Sequence, residues 1–243
     1  MKGFHLEQAA GVNECHMARL IFLLLVVLAA SFAPACAKEA SVSPGINAPF
    51  AQPNFEEWVE RFERGGREVF DKRFEIVAAV DIKPGMVVAD IGAGTGLFTR
   101  LFSPEAGVKG QVIAVDISKT FIDNILKNAR QRGLKNVSGI VNEATDAMLP
   151  LASVDIAFVC DTYHHFEFPK QMLASIHRGL KPNGALVIVD YERKAGQSSA
   201  WVMEHVRADK AAVIREIEAA GFRLAEDRPL MQTNYFLRFV KRD

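Results

Sequence analysis

Cysteine is scarce in this chain. Cys15, Cys36 and Cys160 are the only three among 243 residues, and their wide spacing offers neither a disulfide framework nor a zinc-ligand set. Charge of one sign is also missing. Lysine plus arginine and aspartate plus glutamate number 29 each, so the formal net charge is zero. That balance removes the electrostatic footprint expected of a nucleic-acid binder, and no long basic run restores it locally. There is no internal repeat and no low-complexity tract. The apolar run Leu20 to Ala33 falls short of the roughly 20 residues a spanning helix needs.

What the N-terminus does contain has an order. Arg19 precedes the apolar run and the small-residue stretch Ala33-Pro34-Ala35-Cys36-Ala37 follows it, which is the sequence of regions in a secretory signal. Residues 1–37 are therefore expected to be a signal peptide or, with the run extended to Ala37, a membrane anchor. Cleavage after Ala37 fits the A-x-A preference; lipidation at Cys36 is the alternative. The expected location is exported, periplasmic or membrane-tethered, with the cytoplasm as the other reading. Residues 38–53, rich in Ala, Ser, Pro and Gly, read as a linker. The folded domain is expected over 54–243.

Inside that domain one stretch stands out. Val87-Val88-Ala89-Asp90-Ile91-Gly92-Ala93-Gly94-Thr95-Gly96 is an apolar run closed by an acid, then three alternate glycines, then the helix-patterned Leu97, Phe98, Leu101 and Phe102. This predicts a buried parallel strand, a tight turn and a helix. Glycine belongs where the backbone takes positive φ or comes within contact distance of a ligand. Dinucleotide folds use G-x-G-x-x-G; here the spacing is G-x-G-x-G, and Asp90 lies two residues before Gly92. A carboxylate there suits an ammonium or sulfonium better than two phosphates. A second apolar strand, Val112 to Val115, ends in Asp116, 24 residues after Gly92. That is near the distance at which an acid reaches ribose hydroxyls; a helix cap is the structural alternative for Asp116.

Further strands are expected at Val137–Val141, Val154–Cys160 and Ala185–Val189. Helices are expected from Phe55, over Glu68–Val80, Thr120–Arg132 and Lys170–Leu180, and near Asp209–Ala220. Residues 192–206, with Trp201 and His205, break the pattern and read as a substrate lid. Two late strands, about Arg223 to Glu226 and Tyr235 to Val240, suggest a terminal antiparallel hairpin.

The motif Asp90-Ile91-Gly92-Ala93-Gly94-Thr95-Gly96 resembles the first motif of class I S-adenosylmethionine-dependent methyltransferases. The closing hairpin fits them and is absent from typical nicotinamide-binding domains. The resemblance spans Phe55 to the C-terminus. It implies an α/β fold, doubly wound and Rossmann-like, with a mostly parallel seven-stranded sheet and a C-terminal antiparallel hairpin. It also implies S-adenosyl-L-methionine as cofactor. The donor site would comprise Asp90, Gly92, Gly94, Gly96, Asp116, Ile117, Glu143 and Ala144. Ile117 would pack on the adenine face, and Glu143 would approach the adenine amino group. The family more often has aspartate there, so Asp146 rivals Glu143.

Residues leaving the fourth strand should face the glycine turn across the crevice where strand order reverses. Asp161, Tyr163, His164 and His165 are therefore the candidate acceptor-side and catalytic residues. Either histidine suits a general base, because imidazole titrates near neutrality; a purely structural histidine pair is the alternative. No metal site is expected. Asp161-Thr162-Tyr163-His164-His165 does not match the Asn/Asp-Pro-Pro-Tyr motif of amino-directed DNA methyltransferases, which again points away from nucleic acid and toward a small-molecule acceptor. An NAD(P)-binding oxidoreductase and a non-catalytic S-adenosylmethionine-binding module are the competing functions. One tension stands: the leader sends the domain out of the cytosol, where the donor is made.

Overall fold

The structure, a computed structural model, describes residues 39–242. The expected signal peptide or anchor at 1–37 lies outside the described residues. Among those described, no helix is long and apolar enough to cross a membrane.

A seven-stranded sheet forms the centre. Its strands are β1 (Val87–Ile91), β2 (Gln111–Asp116), β3 (Val137–Val141), β4 (Val154–Cys160), β5 (Leu180–Tyr191), β6 (Phe222–Arg228) and β7 (Asn234–Lys241), in the order β3-β2-β1-β4-β5-β7-β6. The first five are parallel; β7 runs antiparallel to both β5 and β6. The apolar runs of β1, β2, β4 and β5 are buried along nearly their whole length, as strands covered on both faces must be.

Alternation along each strand sorts side chains into two layers. Val88, Val112, Ile156, Phe158 and Val187 pack with Ile76, Val80, Phe98 and Phe102. These last four sit on α3 (Arg73–Val80) and α4 (Leu97–Ala106). On the other face Ala89, Ile91, Val115, Ala157, Val159 and Ile188 pack with Leu173, Ile176, Val213 and Ile217. Those four come from α6 (Pro169–Gly179) and α8 (Lys210–Ala219). The remaining helices are α1 (Phe55–Phe62), α2 (Glu68–Asp71), α5 (Lys119–Gln131) and α7 (Ala200–His205).

Three expectations are corrected. The single helix over 68–80 is two, α2 and α3, because the Asp71 carboxylate turns back to accept from the Gly66 amide and Lys72 leaves helical geometry. The fifth strand is longer than 185–189, since Lys181–Gly184 stays extended through a register shift opposite Val154–Ile156 rather than turning. Residues 41–50, inside the segment read as a linker, are fixed to the domain. Val42 N–H donates to the Glu167 carbonyl at 2.9 Å, and Asn47 Nδ2 donates to the His165 carbonyl at 3.1 Å. A short 3-10 turn, Ala48–Phe50, follows.

Candidate functional site

Strand order reverses at β1, whose neighbours are β2 on one side and β4 on the other. Loops leaving adjacent strands in opposite directions open a crevice at the carboxyl ends. A cavity of about 1010 Å³ occupies that place, at the upper end of the size usual for one small ligand.

At one end lies the glycine turn. Gly92 has φ +70°, and a Cβ there would sit 2.2 Å from Thr162 Cγ2. Glycine is thus required at this position by packing against the residue leaving β4, which the motif alone did not show. Gly96 caps α4 in the left-handed region, where a Cβ would meet Ile125 at 2.8 Å. Gly94 N–H donates to Asp116 Oδ2 and Ser118 N–H donates to Asp116 Oδ1, both at 2.8 Å. Asp116 therefore shapes the turn as well as facing the cavity. Asp90 accepts from the Thr99 hydroxyl at 2.6 Å. Burial pushes the pKa of each of these two carboxyls up to about 6.

Asp90, Gly92, Gly94, Asp116, Ile117 and Ala144 all line the cavity. Gly96 sits behind the turn. Glu143 is exposed and does not line the cavity, whereas its neighbours Asn142 and Ala144 do. Its backbone is taken up in a bridge to Asp146 that turns the side chain outward. Asp146 is a surface group too, bonded to Arg178 and the Met148 amide.

Another wall of the cavity is built from the β4 and β5 termini and α7. His164, on a 3-10 turn spanning Tyr163–His165, is buried. Its Nδ1 lies 2.7 Å from Asp190 Oδ1, and its backbone N–H donates to Asp190 Oδ2 at 3.1 Å. Burial presses this imidazole toward neutrality, but the charge and hydrogen bond of Asp190, joined by the charge of Asp161, together raise its pKa. His165 is driven the other way, to about 3, by burial and then by His164 and His205. His205, on α7, is lowered by burial and by His164. All three histidines line the cavity with Tyr191 and Trp201, and the Trp201 ring stacks on His205 at 4.6 Å between centroids.

Two acceptor-side candidates take other positions. Tyr163 is buried in the core, away from the cavity, and its hydroxyl donates to Glu216 at 2.7 Å. Its ring packs in the core layer beside Phe166, at 5.3 Å between centroids. Asp161 does line the cavity, but both its oxygens are engaged, by Arg67 and by Asn234 Nδ2. It fixes the exit of β4 and holds α2 near the site. Asp190 was not singled out from the sequence, although it ends an apolar strand just as Asp90 and Asp116 do. Arg67, Asn234 and Phe50 had no such signal.

A nicotinamide-binding sheet continues parallel past the switch point; here β7 runs antiparallel between β5 and β6. That topology, with an acid closing each of the first two strands, defines the Rossmann-like methyltransferase class. The family described as "Methyltransferase domain" matches residues 82–236, and the chain belongs to it. Phosphoethanolamine N-methyltransferase 1 of Arabidopsis thaliana is 29% identical over 178 residues, 70% of this chain and 35% of that protein. The ubiquinone/menaquinone biosynthesis C-methyltransferase UbiE of Shewanella oneidensis is 31% identical over 125 residues, 51% of this chain and 49% of that protein. The chain thus spans between a third and a half of these relatives' lengths. A SAM dependent methyltransferase from Aquifex aeolicus superposes with a TM-score of 0.69 at 24% identity, covering 78% of this chain and all of that one.

Proposed function

We propose that this protein transfers the methyl group of S-adenosylmethionine to a small-molecule acceptor. The observation that carries the reading is the placement of Asp90 and Asp116 on either side of the glycine turn, in a cavity of about 1010 Å³ that the histidine cluster also lines. Asp90 faces the site of a cationic amino-acid portion, and Asp116 is placed to accept from ribose hydroxyls. Ile117, Asn142 and Ala144 flank the place an adenine would take. In transfer, the bond from methyl carbon to sulfur breaks as the bond to the acceptor forms, and the sulfonium becomes a neutral thioether. The chain's task is alignment of the two partners and removal of a proton where the acceptor carries one. His164, oriented by Asp190, is the group placed to take that proton. The neutral charge balance favours a small acceptor over nucleic acid, and both curated relatives are named for small-molecule methylation.

Calorimetry tests the reading. S-adenosylhomocysteine should bind one-to-one and NADH should not; the reverse would establish the oxidoreductase alternative. Binding without label transfer from methyl-labelled donor to any acceptor in a metabolite extract would establish the non-catalytic module. We further propose that residues 1–37 direct export. Fractionation that leaves full-length chain in the cytoplasm would refute this.

A further inference from the structure

Three imidazoles meet in the cavity where the turn after β4 faces α7. One ring nitrogen from each of His164, His165 and His205 lies within 4.8 Å of the other two. Their rings are mutually close, with centroids 4.4 Å apart for His164 and His165, 5.1 Å for His164 and His205, and 5.2 Å for His165 and His205. We propose that His164, His165 and His205 form a binding site for a divalent transition-metal ion of the zinc class, with its fourth position open to the cavity.

The support is geometric and chemical. Imidazole nitrogen is a preferred ligand for such ions, and three protein ligands with one open position is the pattern of a reactive rather than a structural zinc site. A metal-bound histidine almost always donates its other ring N–H to a carboxylate or carbonyl. His164 already has that arrangement, since Nδ1 faces Asp190 Oδ1 at 2.7 Å and leaves Nε2 for a ligand. The buried Nδ1 of His165 has no hydrogen-bond partner among the described residues, and buried polar atoms without partners call for an explanation. A tetrahedral centre with metal–nitrogen bonds near 2.0–2.1 Å sets its ligand nitrogens about 3.3 Å apart. Closing from 4.8 Å needs modest side-chain rotation, and His205 is the ring best placed to give. It is carried by the six-residue helix α7 and steadied on its outer face by Trp201. The Asp190 carboxylate supplies compensating negative charge behind the site.

The inference does not rest on methyl transfer, although the ion would sit on the acceptor side of the cavity. Metal and proton compete for the His164 lone pair, so a loaded site would activate the acceptor through the ion instead of through free imidazole.

The test is Co²⁺ titration of chelator-treated, purified protein, followed by its visible absorption, with Zn²⁺ as competitor. One equivalent of Co²⁺ with the intense bands of a tetrahedral centre, bleached by Zn²⁺, is the expected result. His205→Ala should abolish the bands, with His205→Gln as a second variant should the first misfold. Asp190→Asn should weaken Co²⁺ by about 10–100-fold. His177→Ala, which removes a histidine packed against Gly221 and outside the cavity, should leave Co²⁺ binding intact. No stoichiometric binding, or bands that persist without His205, would overturn the proposal. S-adenosylhomocysteine titrated into the same sample separates the two readings: nucleoside binding without Co²⁺ binding removes only the metal site, and Co²⁺ binding without nucleoside binding removes only the methyl donor.

Discussion

Asp90 and Asp116 are buried carboxyls whose pKa values are pushed up to about 6 by loss of solvent. Their ordinary values lie near 3.9, so the folded protein without ligand holds more protons than the unfolded chain between about pH 4 and 6. The contribution of these groups to stability is therefore full below about pH 4 and is lost as pH rises through about 6. Donor binding has the opposite slope. A cationic amino-acid portion favours ionised Asp90, and ribose hydroxyls donate best to ionised Asp116. Affinity for S-adenosylmethionine is expected to rise with pH through about 6 and level off above it. Calorimetric titrations across that range check this, and Asp90→Asn should make the profile shallower, leaving the part that Asp116 contributes. Asp116→Asn removes a charged acceptor whose hydrogen bonds are worth about 1.5–3 kcal/mol, so S-adenosylhomocysteine affinity should fall roughly 10–100-fold. An unchanged dissociation constant would move the ribose elsewhere. At this scale the sequence was readable where a strand pattern carried the information: an acid closing an apolar run marked Asp90 and Asp116. It was unreadable where direction mattered. Tyr163 and His164 are adjacent, yet one ring is buried in the core with its hydroxyl bonded to the half-buried Glu216 and the other side chain faces the cavity. No local pattern distinguishes them.

At the scale of elements, the turn after β1 and the exit of β4 are a single packed unit. A Cβ at Gly92 would lie 2.2 Å from Thr162 Cγ2 and 2.4 Å from Thr162 Oγ1, at a φ of +70° that side chains rarely adopt. Gly92→Ala is expected to lower stability by about 1–3 kcal/mol, as overpacking commonly does, and to spread the crevice so that donor affinity falls with it. Thermal melts and nucleoside titrations of Gly92→Ala and of Gly92→Ala with Thr162→Ala check this. Partial recovery in the double variant identifies the contact as the cause. Tyr163→Phe makes the contrasting case. Loss of its hydrogen bond to Glu216 should cost about 1 kcal/mol and leave methyl transfer unchanged, whereas a catalytic Tyr163 would reduce turnover. The parallel strands and the late antiparallel pair were legible because buried strands are apolar runs and polar turns separate them. The insertion of β7 between β5 and β6 was not. It depends on Leu186 and Ile188 finding Phe239 and Leu237 across the sheet, a pairing no window of sequence contains. The break between α2 and α3 was hidden for a related reason, since it turns on Asp71 reaching back to Gly66.

For the whole molecule, the segment just before the domain decides how much of the chain is needed. Its composition reads as a linker, yet the residues that hold it are few and specific. Ser41 donates to Glu167, Val42 N–H to the Glu167 carbonyl and Asn47 to the His165 carbonyl. The Phe50 ring lies 4.8 Å from Trp58 and 5.3 Å from His165, centroid to centroid. These contacts end on the turn that carries His164 and His165, so the segment forms part of the cavity wall. A cleavage after Ala37, as the leader is expected to undergo, would leave every one of them in place; N-terminal sequencing of the mature chain should then begin at Lys38. Removing residues 38–50 has a different outcome. The hydrogen bonds and the Phe50 ring contacts with Trp58 and His165 are lost together, so the unfolding midpoint is expected to fall. Exposure of Trp58 and His165 should weaken acceptor binding more than donor binding, because the segment packs on Trp58 and on the turn that carries the histidines. Melting curves and separate titrations of truncated and mature protein check both halves. A truncated chain with the midpoint of the mature one would return residues 38–50 to the status of a tether.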